Sequence, residues 1–366
     1  MDTNWENLGS LVKIKVIGVG GGGCNAINRM MDSGLADVEL IAVNTDAAAL
    51  ALSRAPIRLC IGSNLTRGLG TGGHPEIGAK AAEESEKDLR TLLDGADMAF
   101  IATGLGGGTG TGASPVIAEI AQSEGALTVA VVTRPFSFEG AKRAQLANEG
   151  LKKLSEHVDT LITVQNDRLL QLVDRHVPLQ QAFTLADDVL RQGVQAISEL
   201  INAPGLIHVD FADVRAIMAN GGAALMAIGR ASGEERALAA AQQAITSPLL
   251  DVDISGALGV LFVVKGGDDL TLYEVSQAAD LICKTAAPDA NIIFGAVIDP
   301  NMRDQLQITV VATGFSLDQR GRTQAREVPT SRAQQPTPQP APKPSTASSK
   351  PFDATDIDIP PFLRRR

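Results

Sequence analysis

The chain has little of what marks several common function classes. It carries three cysteines, Cys24, Cys60 and Cys283, an odd number with no CxxC spacing and no histidine cluster beside them. That excludes a disulfide framework and a zinc site and fits a reducing compartment. The opening residues, MDTNWENLGS, lack the basic and apolar regions of a secretory signal, and no apolar run approaches the ~18 residues of a membrane span. An excess of positive charge is missing as well: the net charge is -10, so neither nucleic-acid binding nor direct membrane insertion is expected. These absences point to a soluble, cytoplasmic protein. With 366 residues and 44% hydrophobic content, the chain has enough material for two domains and a tail.

From Lys13 to about Arg175, short apolar runs (KIKVIGVG, ELIAVNTD, MAFIATG, LTVAVVT, TLITVQND) alternate with helical stretches, the first helix expected over Cys24 to Asp32. Such alternation predicts a parallel sheet covered on both faces, with ligands at the C-terminal ends of the strands. Leu179 to Ile201 keeps Ala182, Ala186, Val189 or Leu190, Gly193, Ile197 and Leu200 at helical spacing, which predicts one long helix ending before Pro204. Beyond it, ALGVLFVVKGG, NIIFGAVI and LQITVVAT alternate with helical stretches near Val214 to Ala219, Glu234 to Thr246 and Thr271 to Thr285, a smaller α/β unit. The expected fold class is α/β: an N-terminal extension (1–12), a Rossmann-like parallel-sheet domain (13–178), a central helix (179–203) and a smaller α/β domain (204–315). A Pro, Ser, Thr and Gln-rich segment (316–352) has too little apolar surface to fold and reads as a disordered linker. A terminal peptide (353–366), DATDIDIPPFLRRR, is amphipathic and reads as a partner-binding segment.

Two glycine runs follow predicted strands. Gly18 to Gly23 holds Gly20 and Gly23 in GxGxxG register before a helix, where backbone N–H groups can hold phosphate oxygens. By itself this equally suits a dinucleotide site, with Asp46 ending the second strand as the ribose acid, or a plain tight turn. The second run, Gly104 to Gly112, lies between the strand AFIAT and a helix expected from Pro115. Two such loops can enclose a triphosphate from two sides. The lysine of a P-loop is absent, so charge compensation falls to backbone amides, threonine hydroxyls and Mg²⁺.

The second run contains GGGTGTG, Gly106 to Gly112, and here the chain resembles the tubulin/FtsZ family of GTPases, in its bacterial cell-division branch. Further matching stretches are GVGGGGCNA (Gly18 to Ala26), AVNTD, RPFSFEGAKR (Arg134 to Arg143), VQNDRLL, VDFADV and the tail DIDIPPFLRRR. The resemblance implies a tubulin-like fold, binding of GTP and GDP with Mg²⁺ held mainly through the phosphates, and hydrolysis of GTP on polymerisation. It places phosphates on Gly21, Gly22, Gly23, Cys24 and Asn25 and on Gly108, Thr109 and Gly110, with Thr71, Gly72, Gly104, Gly107 and Thr133 also at the nucleotide. Glu139 and Arg143 are expected at the ribose, and Asn166, Phe183 and Asp187 at the base. Phe183 and Asp187 are four apart and share a helix face, so a ring can stack on the base while a carboxylate accepts from N1–H and the 2-amino group that guanine offers and adenine lacks. Without the resemblance, a core Phe183 and a solvated Asp187 serve as well.

Asp210 and Asp213 read locally as a helix N-cap and a first-turn acid. The resemblance instead makes them catalytic, entering the nucleotide site of the next subunit to orient the water that attacks the γ-phosphate. His208 stands before them where relatives carry Asn; if it must be neutral to act, turnover is expected to fall below about pH 6.5. The resemblance further implies head-to-tail filaments at the division site on the inner face of the membrane, and a terminal peptide that docks on tethers of the FtsA, ZipA or SepF type.

Overall fold

The fold is taken from a computed structural model, which describes residues 12–35, 37–171, 177–202, 209–247 and 254–315. The linker, the terminal peptide and His208 lie outside them. In chain order the elements are β1 (Ile14–Val19), α1 (Gly20–Asp32), β2 (Glu39–Asn44), α2 (Ala47–Ala51), β3 (Ile57–Cys60), α3 (Ser63–Thr66), α4 (Pro75–Glu84), α5 (Glu86–Leu93), β4 (Met98–Gly104) and α6 (Thr109–Ser123). They continue with β5 (Leu127–Arg134), α7 (Ala141–Ser155), β6 (Thr160–Gln165), α8 (Asn166–Leu169) and α9 (Leu179–Asn202). The last are α10 (Phe211–Met218), β7 (Gly222–Ser232), α11 (Arg236–Ile245), β8 (Gly259–Gly266), α12 (Leu272–Thr285), β9 (Asn291–Ile298) and β10 (Gln305–Thr313).

The strands form one ten-stranded sheet in the order β3-β2-β1-β4-β5-β6-β7-β10-β8-β9. Strands β1 to β6 are parallel throughout, and β4 and β5 are buried along nearly their whole length because helices cover both faces. Strand alternation divides the core. Val16, Phe100 and Val131 face α1 and α9 through Ile27, Met30, Val194 and Ile197, whereas Ile17, Ile101 and Val132 face the opposite layer through Leu89, Ile117 and Leu154. The second half mixes directions: β7 pairs parallel with β6 and antiparallel with β10, and β8 pairs antiparallel with β10 and parallel with β9.

Helix α9 has 24 residues, so it is about 36 Å long. Its buried stripe includes every residue the periodicity selects, from Ala182 to Leu200. Gly193 lets it lie close on the sheet, since a Cβ there would stand 3.1 Å from Val131 Cγ1 and 3.2 Å from Met226 Sδ.

Two helix starts differ from expectation. Helix α1 begins at Gly20 rather than Cys24, and α6 begins at Thr109 with Pro115 inside it rather than at its head. Proline favours a helix's first turn, which drew the sequence boundary to it. Packing decides otherwise: α4 lies against the glycine run so closely that a Cβ on Gly112 would stand 1.9 Å from Pro75 O, which holds that run in helical form. Strands β3, IRLC, and β7, GAALMAIGRAS, lie outside the apolar runs that mark strands in the sequence.

Candidate nucleotide site

In the order β3-β2-β1-β4-β5-β6 the chain reverses its direction of travel across the sheet between β1 and β4. In open α/β sheets the crevice beyond such a pair of strands is where ligands bind. Both glycine loops leave these two strands, whose ends are in register at Val19 and Thr103 and are tied by Thr103 Oγ1 donating to Val19 O at 3.0 Å.

The loops touch each other. Gly20 has φ +70°, and a Cβ on it would stand 2.9 Å from Gly110 N. Gly108 is backed by a third loop, since its Cβ would stand 2.0 Å from Thr71 Oγ1 and 2.8 Å from His74 N. Inside the cluster, Thr45 and Thr109 share a hydroxyl hydrogen bond of 2.6 Å, and Gly106 N donates to Thr111 Oγ1 at 2.8 Å. Thr133, buried, accepts from Leu105 N through its carbonyl at 2.9 Å and sets the base of the second loop.

Gly21 and Gly107 stand apart from these. A Cβ on either would meet no atom within 4 Å, and neither has a positive φ. Neither packing nor backbone conformation requires glycine there, whereas a group lying close over the loops would. The starts of α1 and α6 point their unpaired N–H groups and positive dipole ends toward the same crevice, which suits phosphate. Gly22, Gly23 and Asn25 lie in the first two turns of α1, Gly110 in the first turn of α6, Gly104 at the end of β4 and Gly72 in the loop before α4. Cys24 contributes only backbone: its Sγ is buried 3.8 Å from the carbonyls of Gly18 and Val43, and burial pushes the thiol up to about 12.

Along the crevice, at the end of β5, three phenylalanines meet: Phe136 stacks on Phe138 with centroids 5.0 Å apart and meets Phe183 edge-on at 5.4 Å. Phe136 is buried, while Phe183 keeps 39% of its surface exposed and can take a planar ring. One turn along α9, Asp187 Oδ2 accepts from Arg29 Nε at 3.3 Å, and Arg29 Nη2 donates to Thr184 Oγ1 at 2.9 Å. Burial pushes the Asp187 carboxyl up to about 6, with Arg29 pulling the other way. Asn166, at the end of β6, is 6% exposed and its Oδ1 has no hydrogen-bond partner, an uncommon state for a buried amide and a fit for a ligand donor. Glu139 is already engaged, accepting from Phe136 N at 2.9 Å and pairing with Arg143, which leaves the exposed Arg143 as the group that reaches outward.

Asp46 accepts from Ala49 N at 2.9 Å as the N-cap of α2, which occupies the carboxylate a dinucleotide site would turn to the ribose. Asp210 and Asp213 are elsewhere. Asp210 caps α10, accepting from Asp213 N at 2.9 Å, beyond the far end of α9, where Asn202 Nδ2 donates to Asp37 O at 2.9 Å just before β2 begins. The structure therefore brings the glycine loops, Thr71, Thr133, Phe183, Asp187 and Asn166 to the C-terminal edge of the parallel strands and sends the two acids to the opposite edge. Sequence reasoning did not single out Arg29 or Thr45 at this site, because their partners, Asp187 and Thr109, come from distant parts of the chain.

Residues 13–174 match the family model of the Tubulin/FtsZ family, GTPase domain, and residues 222–316 that of the FtsZ family, C-terminal domain. A solved FtsZ dimer from M. jannaschii is 48% identical, with 83% of this chain and 88% of that one covered and a TM-score of 0.80. A tryptophan-to-tyrosine variant of FtsZ from the same organism gives 47% identity, 83% and 92% coverage and a TM-score of 0.81. CetZ2 from Haloferax volcanii, solved as a GTPγS-bound protofilament, shares the fold at 22% identity, with 84% and 96% coverage and a TM-score of 0.72. The chain belongs to the tubulin/FtsZ family and carries its GTPase domain followed by an FtsZ C-terminal domain.

Proposed function

We propose that this protein is an FtsZ-type cytoskeletal GTPase that binds GTP in the crevice between β1 and β4, assembles head to tail and hydrolyses GTP at the contact between subunits. The observation that carries the reading is the separation of parts along α9. Phe183 and Asp187 lie near its start, and the 15 residues from Asp187 to Asn202 add about 22 Å before the acids of α10 follow. This separation supports a site in which a second subunit presents Asp210 and Asp213 to the phosphates.

In this reading the amides of Gly21 to Asn25 and Gly107 to Gly110 hold the phosphates, Phe183 stacks on guanine, and Asp187 and Asn166 read its edge. Arg143 and Glu139 line the ribose. Mg²⁺ arriving with the phosphates supplies charge neutralisation. Asp210 and Asp213, exposed on the first turn of α10, orient the attacking water by hydrogen bonding, and the amides of both loops stabilise the charge that builds on the γ-phosphate oxygens. Dimer and protofilament structures of relatives support the assembly. The division-ring role, and a tail that docks on tethers of the FtsA, ZipA or SepF type, extend the same reading. His208 lies outside the described residues, and its effect on turnover stays part of the proposal.

The test is phosphate release from GTP, with ATP as control, across a protein concentration series with light scattering recorded on the same samples. Turnover per subunit and scattering are expected to rise together above one threshold, with GTP only. Turnover per subunit independent of concentration contradicts a shared site.

A further inference from the structure

A groove at the opposite end of the same strands has no part in the assignment above. The starts of β1, β2 and β3 and the last turn of α1 enclose it, with a volume of about 710 Å³. Its lining is mainly apolar: Val12, Met31, Leu35, Val38, Pro56 and Ile57. Met31 and Pro56 are exposed and the other four are half-buried, so the recess presents apolar surface to water. Lys15 at its rim is already engaged, pairing with Glu39 at 3.6 Å and donating to Leu92 O at 2.6 Å and Asp94 O at 3.0 Å. Two of its walls are held together by Asn202 at the end of α9, whose Nδ2 donates to Asp37 O at 2.9 Å and to Val12 O at 3.5 Å. A preformed recess of this kind suits an aromatic or aliphatic occupant.

The described residues begin at Val12, inside this groove, and residues 1–11 precede it. Among them are Leu8, Leu11 and Trp5, the chain's one tryptophan. Trp5 lies seven residues before Val12, a reach of at most about 25 Å. A segment anchored in the groove's own wall by so short a tether faces it at an effective concentration in the millimolar range, which favours it over a free partner of equal affinity. We propose that residues 1–11 fold back into this groove, with Trp5 seated against Met31 and Pro56, so that the chain covers its own apolar recess. Trp5 is the natural anchor, because an indole offers a large apolar face for only two torsions fixed. This docking is independent of what the crevice at the other end of the strands binds.

The single tryptophan makes the test direct, since indole emission moves to shorter wavelength and escapes an aqueous quencher when the ring leaves water. The experiment records Trp5 emission and its quenching by acrylamide in the full chain, without nucleotide, across a concentration series and again in urea. In the folded wild type, emission is expected at shorter wavelength than in urea and quenching several-fold weaker, both independent of concentration. Met31→Glu and Pro56→Glu change exposed side chains, so each is expected to keep the wild-type circular dichroism while Trp5 moves to longer wavelength and becomes quenchable; Met31→Leu keeps it shielded. A Trp5 as quenchable in the folded wild type as in urea overturns the proposal. So does shielding that survives both glutamate variants, which places the segment elsewhere, or shielding that grows with concentration, which makes a second copy the occupant.

Discussion

At the scale of single residues, the side chains with the most specific work have partners far away in sequence. Asp187 is the clearest case. Its spacing from Phe183 was legible, because four residues place two side chains on one helix face, but its ion pair with Arg29 was not. The pair and the burial have opposite effects on its charge, and burial prevails. Between the ordinary value of 3.8 and about 6, the folded chain keeps a proton that the unfolded chain has released, so stability falls as pH rises through that window. Base recognition runs the other way, because only the ionised carboxylate accepts from both guanine donors. Discrimination of GTP from ITP, which lacks the 2-amino group, is therefore expected to collapse below about pH 6, and Asp187→Asn should show weak discrimination at every pH. Competition binding from pH 5 to 8 checks this, and undiminished discrimination at pH 5 contradicts it. Asp46 shows the reverse: its place at the end of β2 fitted a ribose acid, and only the bond from Ala49 N shows that it caps a helix.

At the scale of elements, strands with continuous apolar runs were readable and strands without them were not. Strand β7, GAALMAIGRAS, is built of small residues with little strand preference, and it forms because β10 and the start of β6 flank it. A Cβ on Gly229 would meet Ala240 O at 1.9 Å, so the same small residues admit α11 onto the sheet. Helix α11 is anchored to α12 by Arg236, 5% exposed, which donates to Glu274 Oε1 and Asp269 Oδ2 at 2.6 Å each. The hydrogen bond from Arg236 is the main cause that holds the Glu274 carboxyl down at about 2 against the opposing effect of burial. A depressed carboxyl stabilises the fold above its unfolded value of 4.5, and that contribution is lost as pH falls toward about 2. Glu274→Gln is expected to cost about 2 kcal/mol at pH 7, since it leaves Arg236 buried with one partner fewer. Urea unfolding should show the deficit at pH 7 and its disappearance near pH 2; an equal deficit at both would assign it to packing.

At the scale of the whole molecule, one sheet carries the GTPase half into the C-terminal half through β7, and α9 runs from Phe183 and Asp187 toward α10. Among the described residues, Lys265 on β8 ties this helix to the second half through Glu199 at 3.0 Å and Asp299 at 3.2 Å. The two-ended arrangement makes a complementation test decisive. Chains with Asp210→Asn keep their loops and lose one of their two acids, and chains with Gly107→Asp keep both acids and repel phosphate. Each alone should release little phosphate, and the mixture should recover part of the wild-type rate because some contacts pair intact loops with intact acids; a mixture no faster than its components contradicts a shared site. By itself the sequence determined the local matters: the parallel strands, the long helix, the two glycine loops and the cap at Asp210, because hydrophobic period, turn chemistry and backbone sterics act within a few residues. Only the tertiary structure decided that both loops leave the strands flanking one switch point, that β7 is a strand, that Cys24 turns inward, and that the acids lie across the molecule from the loops. Those outcomes depend on which surfaces meet after distant segments have packed, and no stretch of chain contains that information on its own.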